Sequence, residues 1–190
     1  MKFKRIHVTL IGLPPGLLMN RFSVVRYKEQ RKQQLKKREY DPKEEARNSA
    51  YMAEIDGKNQ LYVPAFNVYT MILKSSGRRK IGKSSARGVL AGLMKIVPDK
   101  IPLGTDKYEI DERGVRIQRA RVIRARAHLP EWELNFDILY ESDIIANPYI
   151  LKEILEEAGY RMGLGDYRPE HLGPFGTYTL SRFELEDEDS

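Results

Sequence analysis

Residues 131–140, EWELNFDILY, alternate apolar and polar as far as Ile138. Trp132, Leu134, Phe136, Ile138 and Tyr140 fall on one side, and Glu131, Glu133, Asn135 and Asp137 on the other. A period of two places one apolar row on one face of a β-strand. A strand with one apolar face needs neighbouring strands and a covering layer, so this stretch demands a sheet packed on one side. Residues 3–11 repeat the pattern, with Ile6, Val8 and Leu10 opposite His7 and Thr9. TYTLSRFELE, from residue 177, reads as a last strand.

Helical spacing supplies the cover. From Pro64 onward Phe66, Tyr69, Ile72 and Leu73 recur at helical intervals, after a short strand at 61–63. SSARGVLAGLMKIV predicts a second helix with Val89, Leu90, Leu93 and Met94 as its apolar residues. Asn147 and Pro148 carry the cap and first-turn signature of a helix running to Ala158, with Ile150, Leu151, Ile154 and Leu155 inward. Residues 98–118 read as short extended pieces, and 119–127 as an extended basic segment. Stripped of insertions, the order is strand, helix, strand, strand, helix, strand. That is α+β, a ferredoxin-like or RRM-like βαββαβ arrangement with an antiparallel sheet and helical insertions. Two helices would cover one face, leaving the other face, or the loops at its edge, for a partner. We expect one domain over 1–190, a basic helical insertion or arm at 24–48 with Asp41 capping a helix that starts at Pro42, and an acidic tail at 184–190.

The chain has no cysteine, which excludes disulfides, thiolate nucleophiles and cysteine zinc sites. Its three histidines are far apart and form no paired-ligand spacing, so no metal, no cofactor and no catalytic residue is expected. The apolar runs fall well short of the roughly 20 residues of a membrane helix, and we expect a cytoplasmic protein with no membrane partner. The net charge of +6 favours an anionic partner.

That charge is clustered. Lys74, Arg78, Arg79, Lys80, Lys83 and Arg87 come with no acid among them. Arg119, Arg121, Arg124 and Arg126 form a second acid-free run, in which the arginine parity slips at Val122-Ile123; a bulge or bend would restore one face. Solvated charged faces ordinarily mix signs, whereas guanidinium groups in series suit phosphates. GRRKIGKS, residues 77–84, matches GxxxxGKS literally, but it follows an expected helix where a phosphate-binding loop follows a buried strand. A nucleotide-dependent enzyme using 77–84 therefore stands as an alternative, as does a basic accessory protein that binds an acidic partner.

Residues 159–178, GYRMGLGDYRPEHLGPFGTY, hold five glycines and two prolines between the last helix and the last strand. A helix cap needs one glycine. Gly163 and Gly165 flank Leu164 just past the helix end, where at least one should adopt positive φ. Bare amides beside Arg161 and an exposed Arg168, with Tyr160 and Tyr167 available to stack on bases, suit a nucleic-acid contact.

Three stretches together, KRIHVTLIGLPPGLLMNRF, LYVPAFNVYTMIL and AGYRMGLGDYRPEHLGPFGTYTL, resemble the RAMP superfamily. These are the RRM-like subunits of CRISPR effector complexes, above all the backbone subunit that polymerises along the guide RNA, and similar proteins occur in phages and mobile elements. The resemblance implies a strand leading through Val63-Pro64 into a helix, and a C-terminal glycine-rich loop that touches RNA. Where the family carries Ser and Gly after the proline, this chain has Ala65, Phe66 and Asn67. The implied protein is a non-catalytic subunit that binds single-stranded RNA or DNA, assembles head-to-tail into a homo-oligomer or filament, and meets other effector subunits. Its expected contacts are Arg21, the two basic runs, and Arg161, Gly163, Gly165, Tyr167 and Arg168.

Overall fold

The computed structural model describes residues 2–20, 41–117 and 120–186. The two alternating stretches lie side by side. β1 (Phe3–Gly12) pairs antiparallel with β11 (Glu133–Glu141), setting Ile6 opposite Ile138, Val8 opposite Phe136 and Leu10 opposite Leu134. β12 (Tyr178–Leu185) adds to the other side of β1, with a register shift between Thr9 and Leu10. β7 (Met94–Val97) pairs with β11 and completes the order β12-β1-β11-β7. α2 (Ala65–Ser75) comes between β1 and β7 in sequence, and α4 (Tyr149–Arg161) between β11 and β12. This is the expected βαββαβ arrangement in an α+β protein.

One strand of that sheet was hidden in the sequence. Met94 to Val97 reads as the end of a helix, because Val89, Leu90, Leu93 and Met94 fit a 3.6 period. In the structure α3 (Ala86–Leu93) stops at Leu93 and Met94 is already extended. Met94 and Ile96 are then buried while Lys95 is exposed, which is the period of two. Four residues cannot decide between the two periods; pairing with β11 does. α2 also turns differently from its expected stripe. Ala65, Val68, Met71 and Ile72 are its buried residues, and Phe66 stands 71% exposed.

α2 and α4 cover one face of the sheet. Tyr178 closes the core between them: its hydroxyl donates to the Leu155 carbonyl at 2.9 Å, and burial pushes the phenol pKa far up. Gly159 makes room, since a Cβ there would run into the Tyr178 carbonyl. At the end of the sheet the Glu141 carboxylate accepts the backbone amides of Lys2, Asp143 and Ile144, at 3.1, 3.3 and 2.9 Å. Burial pushes its pKa up, but those bonds outweigh burial and hold it below the ordinary glutamate value.

A second body of strands projects from this unit. β9 (Glu109–Ile117) and β10 (Ala120–Leu129) pair along their length, and β2 (Leu17–Leu18) joins β10 at Leu129 and His128. The remaining edge of β10 meets α1 (Pro42–Ser49). Asp41 caps α1 as expected, accepting from the amides of Lys43 and Glu44. α1 does not project: Ala46 and Ser49 are buried against β10. The rest of the expected arm, 24–40, lies outside the described residues. Of the acidic tail, Glu184 and Leu185 end β12 and the Glu186 amide donates to the Arg5 carbonyl at 3.0 Å, while 187–190 lie outside the described residues. Among the described residues, no helix is long and apolar enough to cross a membrane.

Candidate nucleic-acid interface

The open face of the central sheet is the first surface to weigh, and its side chains satisfy one another. His7 Nδ1 lies 2.7 Å from Asp137 Oδ1, and Arg5 lies 3.5 Å from the other Asp137 oxygen. Thr9 donates to Asn135 at 2.6 Å, and Asn135 to Glu133 at 2.7 Å. Arg182 pairs with Glu184. Carboxylates placed across this face oppose a polyanion, and its exposed apolar side chains, Phe3 and Ile11, stand apart near the two ends of β1. The edge loops are the better surface.

The basic connector contains two kinds of residue. Lys74 Nζ is 2.6 Å from Glu170 Oε1, and Arg79 is bonded to Glu157 at 2.5 Å with Glu153 at 3.7 Å. Arg79 and Arg161 together hold the Glu157 carboxyl below the usual glutamate range, Arg79 more strongly. Arg78, Lys80, Lys83 and Arg87 are exposed and form no ion pair among the described residues. The chain between them is a small hairpin, β5 (Lys80–Ile81) and β6 (Ser84–Ser85), turning at Gly82 and Lys83, and α3 begins directly after it. The GxxxxGKS match therefore occupies a hairpin that follows α2, not a loop between a buried strand and a helix. Its pairing leaves Lys80 and Lys83 exposed on a short hairpin.

The arginine strand has another arrangement. The β9–β10 register runs unbroken from Ala120 to His128, so the anticipated bulge is absent from the described strand. Arg126 is nearly buried; its guanidinium donates to Asp166 at 2.9 Å and to Glu45 at 3.3 Å. Arg124 reaches the same Glu45 oxygen at 3.4 Å. The other Glu45 oxygen accepts the Ala125 amide at 3.0 Å, and Ser49 Oγ accepts the Ala127 amide at 2.7 Å. Arg124 and Arg126 are thus engaged in joining α1, β10 and the glycine loop. Arg121 stands opposite Arg116 in the ladder, while Arg119 and Arg21 lie outside the described residues.

The glycine loop is packed mainly against its own chain. Gly163 and Gly165 both have positive φ, 66° and 78°, as anticipated. The expected close approach of a ligand to these glycines is an approach of the protein itself. A Cβ on Gly165 would meet the Leu18 carbonyl, and one on Gly163 would meet the Pro169 ring. The Asp166 amide donates to Leu18 at 2.7 Å and the Gly176 amide to Gly16 at 2.8 Å. Arg168 is not the free side chain expected. It is half-buried, donates to the Gly165 carbonyl at 2.7 Å and forks onto Glu170 at 3.0 and 2.6 Å. Burial pushes the Glu170 pKa up, but the bonds from Lys74 and Arg168 outweigh it and hold the carboxyl low. Tyr167, at φ 48°, is part exposed, with the Arg113 guanidinium 5.8 Å from its ring centre and 4.6 Å from that of Phe175. Asp111 fixes Arg113 through two hydrogen bonds. Arg161, exposed, pairs with Glu157 one turn back.

Between α2 and this loop lies a groove of about 130 Å³. Asn67, Thr70 and Lys74 line it from α2 at i, i+3 and i+7, and Gly163, Gly165 and Arg168 line it from the loop. Phe66 stands at its mouth and Asn20 reaches it from the segment after β2. Asn20, Phe66, Asn67 and Thr70 were not singled out as site residues from sequence. The signal for the last three, polar and aromatic residues shortly after Val63-Pro64, is visible only once the glycine loop is seen to lie across from them.

No known protein-family model matches the chain, and no curated protein matches it. Among solved structures the chain is similar to a subunit in the cryo-EM structure of the Type III-B Cmr-beta bound to cognate target RNA. The TM-score is 0.56 at 13% sequence identity, covering 97% of this chain and 61% of that one. This chain spans about three-fifths of the length of that relative. The likeness establishes the fold, and it agrees with the fold that the RAMP resemblance implied.

Proposed function

We propose that the protein is a non-catalytic subunit that binds single-stranded nucleic acid, RNA foremost, and assembles head-to-tail along the strand. The observation that carries this reading is the coupling of groove and charge through α2. Asn67, Thr70 and Lys74 line the groove, and the chain runs on from the end of the same helix into Arg78, Lys80, Lys83 and Arg87. Among the described residues these four cations form no ion pair, so an incoming phosphate need displace no carboxylate there. The fold likeness to a subunit of an RNA-bound CRISPR complex supports RNA and other effector subunits as partners. The same likeness is compatible with a phage or mobile-element relative. In this reading Gly77 to Ser84 form a basic hairpin and turn over no nucleotide.

The test is titration of labelled single-stranded RNA, single-stranded DNA and duplex DNA at several salt concentrations. Single strands should win, with log K falling by about 0.7 per neutralised phosphate against log salt. The number of protein copies bound should rise with strand length. A flat salt response, or ATP turnover that is lost in Lys83→Ala, would sink the proposal.

A further inference from the structure

We propose that Phe66 is the stacking surface of a nucleobase subsite, in which one unstacked base of the bound strand lies on its ring and hydrogen-bonds Asn67 and Thr70. The inference rests on the functional reading above and goes beyond it, because that reading needs only phosphate contacts. Phe66 is 71% exposed on a helix whose other apolar side chains turn inward, so packing does not explain it. Its ring lies within 25° of parallel to Tyr69 at 6.3 Å between centroids. Tyr69 is itself fixed, its hydroxyl donating to the Ala91 carbonyl at 2.8 Å. The pair is therefore an oriented platform with one open aromatic face, and every base offers a π-face to such a surface.

The polar groups beside it have work left to do. Asn67 and Thr70 are half-buried in the groove, and their side chains form no hydrogen bond among the described residues. An amide and a hydroxyl supply donors and acceptors together, the equipment that a base edge requires. Both side chains therefore stay open to a ligand that enters the groove. The groove, about 130 Å³, is well below the roughly 300 Å³ at which small-molecule pockets begin, and admits one planar group rather than a whole ligand. Lys74, one helical turn beyond Thr70, is held by Glu170 in the same groove, and a flanking phosphate would take over part of that pairing. The occupant is a base on a strand, not a free nucleotide: the connector cations continue from the same helix, and a polymer engages both.

The experiment compares wild type, Phe66→Ala and Phe66→Trp on a normal single-stranded RNA and on one carrying abasic positions with the same backbone. Wild type should prefer the base-bearing strand. Phe66→Ala should lose about tenfold in affinity for it and none for the abasic strand. Its salt slope and thermal midpoint should match wild type, since Phe66 is exposed and contacts no phosphate. Phe66→Trp should restore binding, with its indole fluorescence quenched by the base. Unchanged binding of both strands by Phe66→Ala, with wild type still binding, overturns the subsite and leaves the functional reading intact. Loss of self-association without loss of base preference also overturns it. Failure of wild type to bind any strand removes the functional reading itself.

Discussion

Two acid-free basic runs look alike in sequence and differ in the folded protein. In the connector, Arg78, Lys80, Lys83 and Arg87 stay exposed and unpaired among the described residues. In the strand, Arg124 and Arg126 converge on Glu45, with Asp166 completing the cluster. The acids that neutralise the strand stand 79 to 81 residues before it and 40 residues after it. A charge run is thus a statement about local composition, whereas its use depends on what the topology brings alongside. The connector keeps its charge on the surface; the strand uses its charge to hold α1 and the glycine loop together.

The largest test of that contrast is Arg126→Ala. It takes the cation from Asp166 and leaves Glu45 to Arg124 alone, and removal of one member of a largely buried ion cluster costs up to about 3 kcal/mol. Denaturant unfolding should show the loss, and the molecules still folded should keep the wild-type salt slope. If stability holds and the slope falls instead, Arg126 is a phosphate contact. Gly165→Val comes next. Positive φ together with the Leu18 carbonyl in the path of the new side chain should cost about 1–3 kcal/mol of stability. Thermal melting that matched wild type would show a loop free to move aside for a ligand.

Replacing Arg78, Lys80, Lys83 and Arg87 together by Gln should leave stability within about 0.5 kcal/mol, because these side chains are exposed. The salt slope should fall by as much as about 3 units, at roughly 0.7 per contact. An unchanged slope would transfer the contacts elsewhere. Glu170→Gln should have the smallest effect, in the opposite direction. It releases Lys74 and Arg168 from a shared carboxylate, so affinity should rise and the slope steepen by about 0.7. Because the folded Glu170 pKa lies below the ordinary 4.5, its contribution to stability is present above that pH. It is lost as pH falls through the folded value. The Gln variant should therefore lose less stability than wild type on acidification, measured by melting at pH 7 and pH 3.

The legible parts of the molecule are those with a long period. β1, β11 and α4 stand where their patterns put them, and Gly163 and Gly165 adopt the positive φ that two glycines past a helix end suggest. The short elements escaped. β7 is a four-residue strand joined directly to a helix, and its register exists only against β11. Phe66 satisfies a helical stripe on paper, but α2 is rotated so that Val68 and Met71 are buried in its place. The site was half legible for the same reason. Composition marks the cations and the glycines, while pairing across many tens of residues decides which cations are free and what the glycines touch.

The contacts from α1 to β10 have a further consequence for how copies of this protein can meet. An uncovered strand with its amides outward invites a strand from another molecule, and that addition can repeat without limit. Glu45 and Ser49, one helical turn apart, occupy the Ala125 and Ala127 amides. At this edge β10 cannot template a strand of a second copy, because side chains of the same molecule already take its donors.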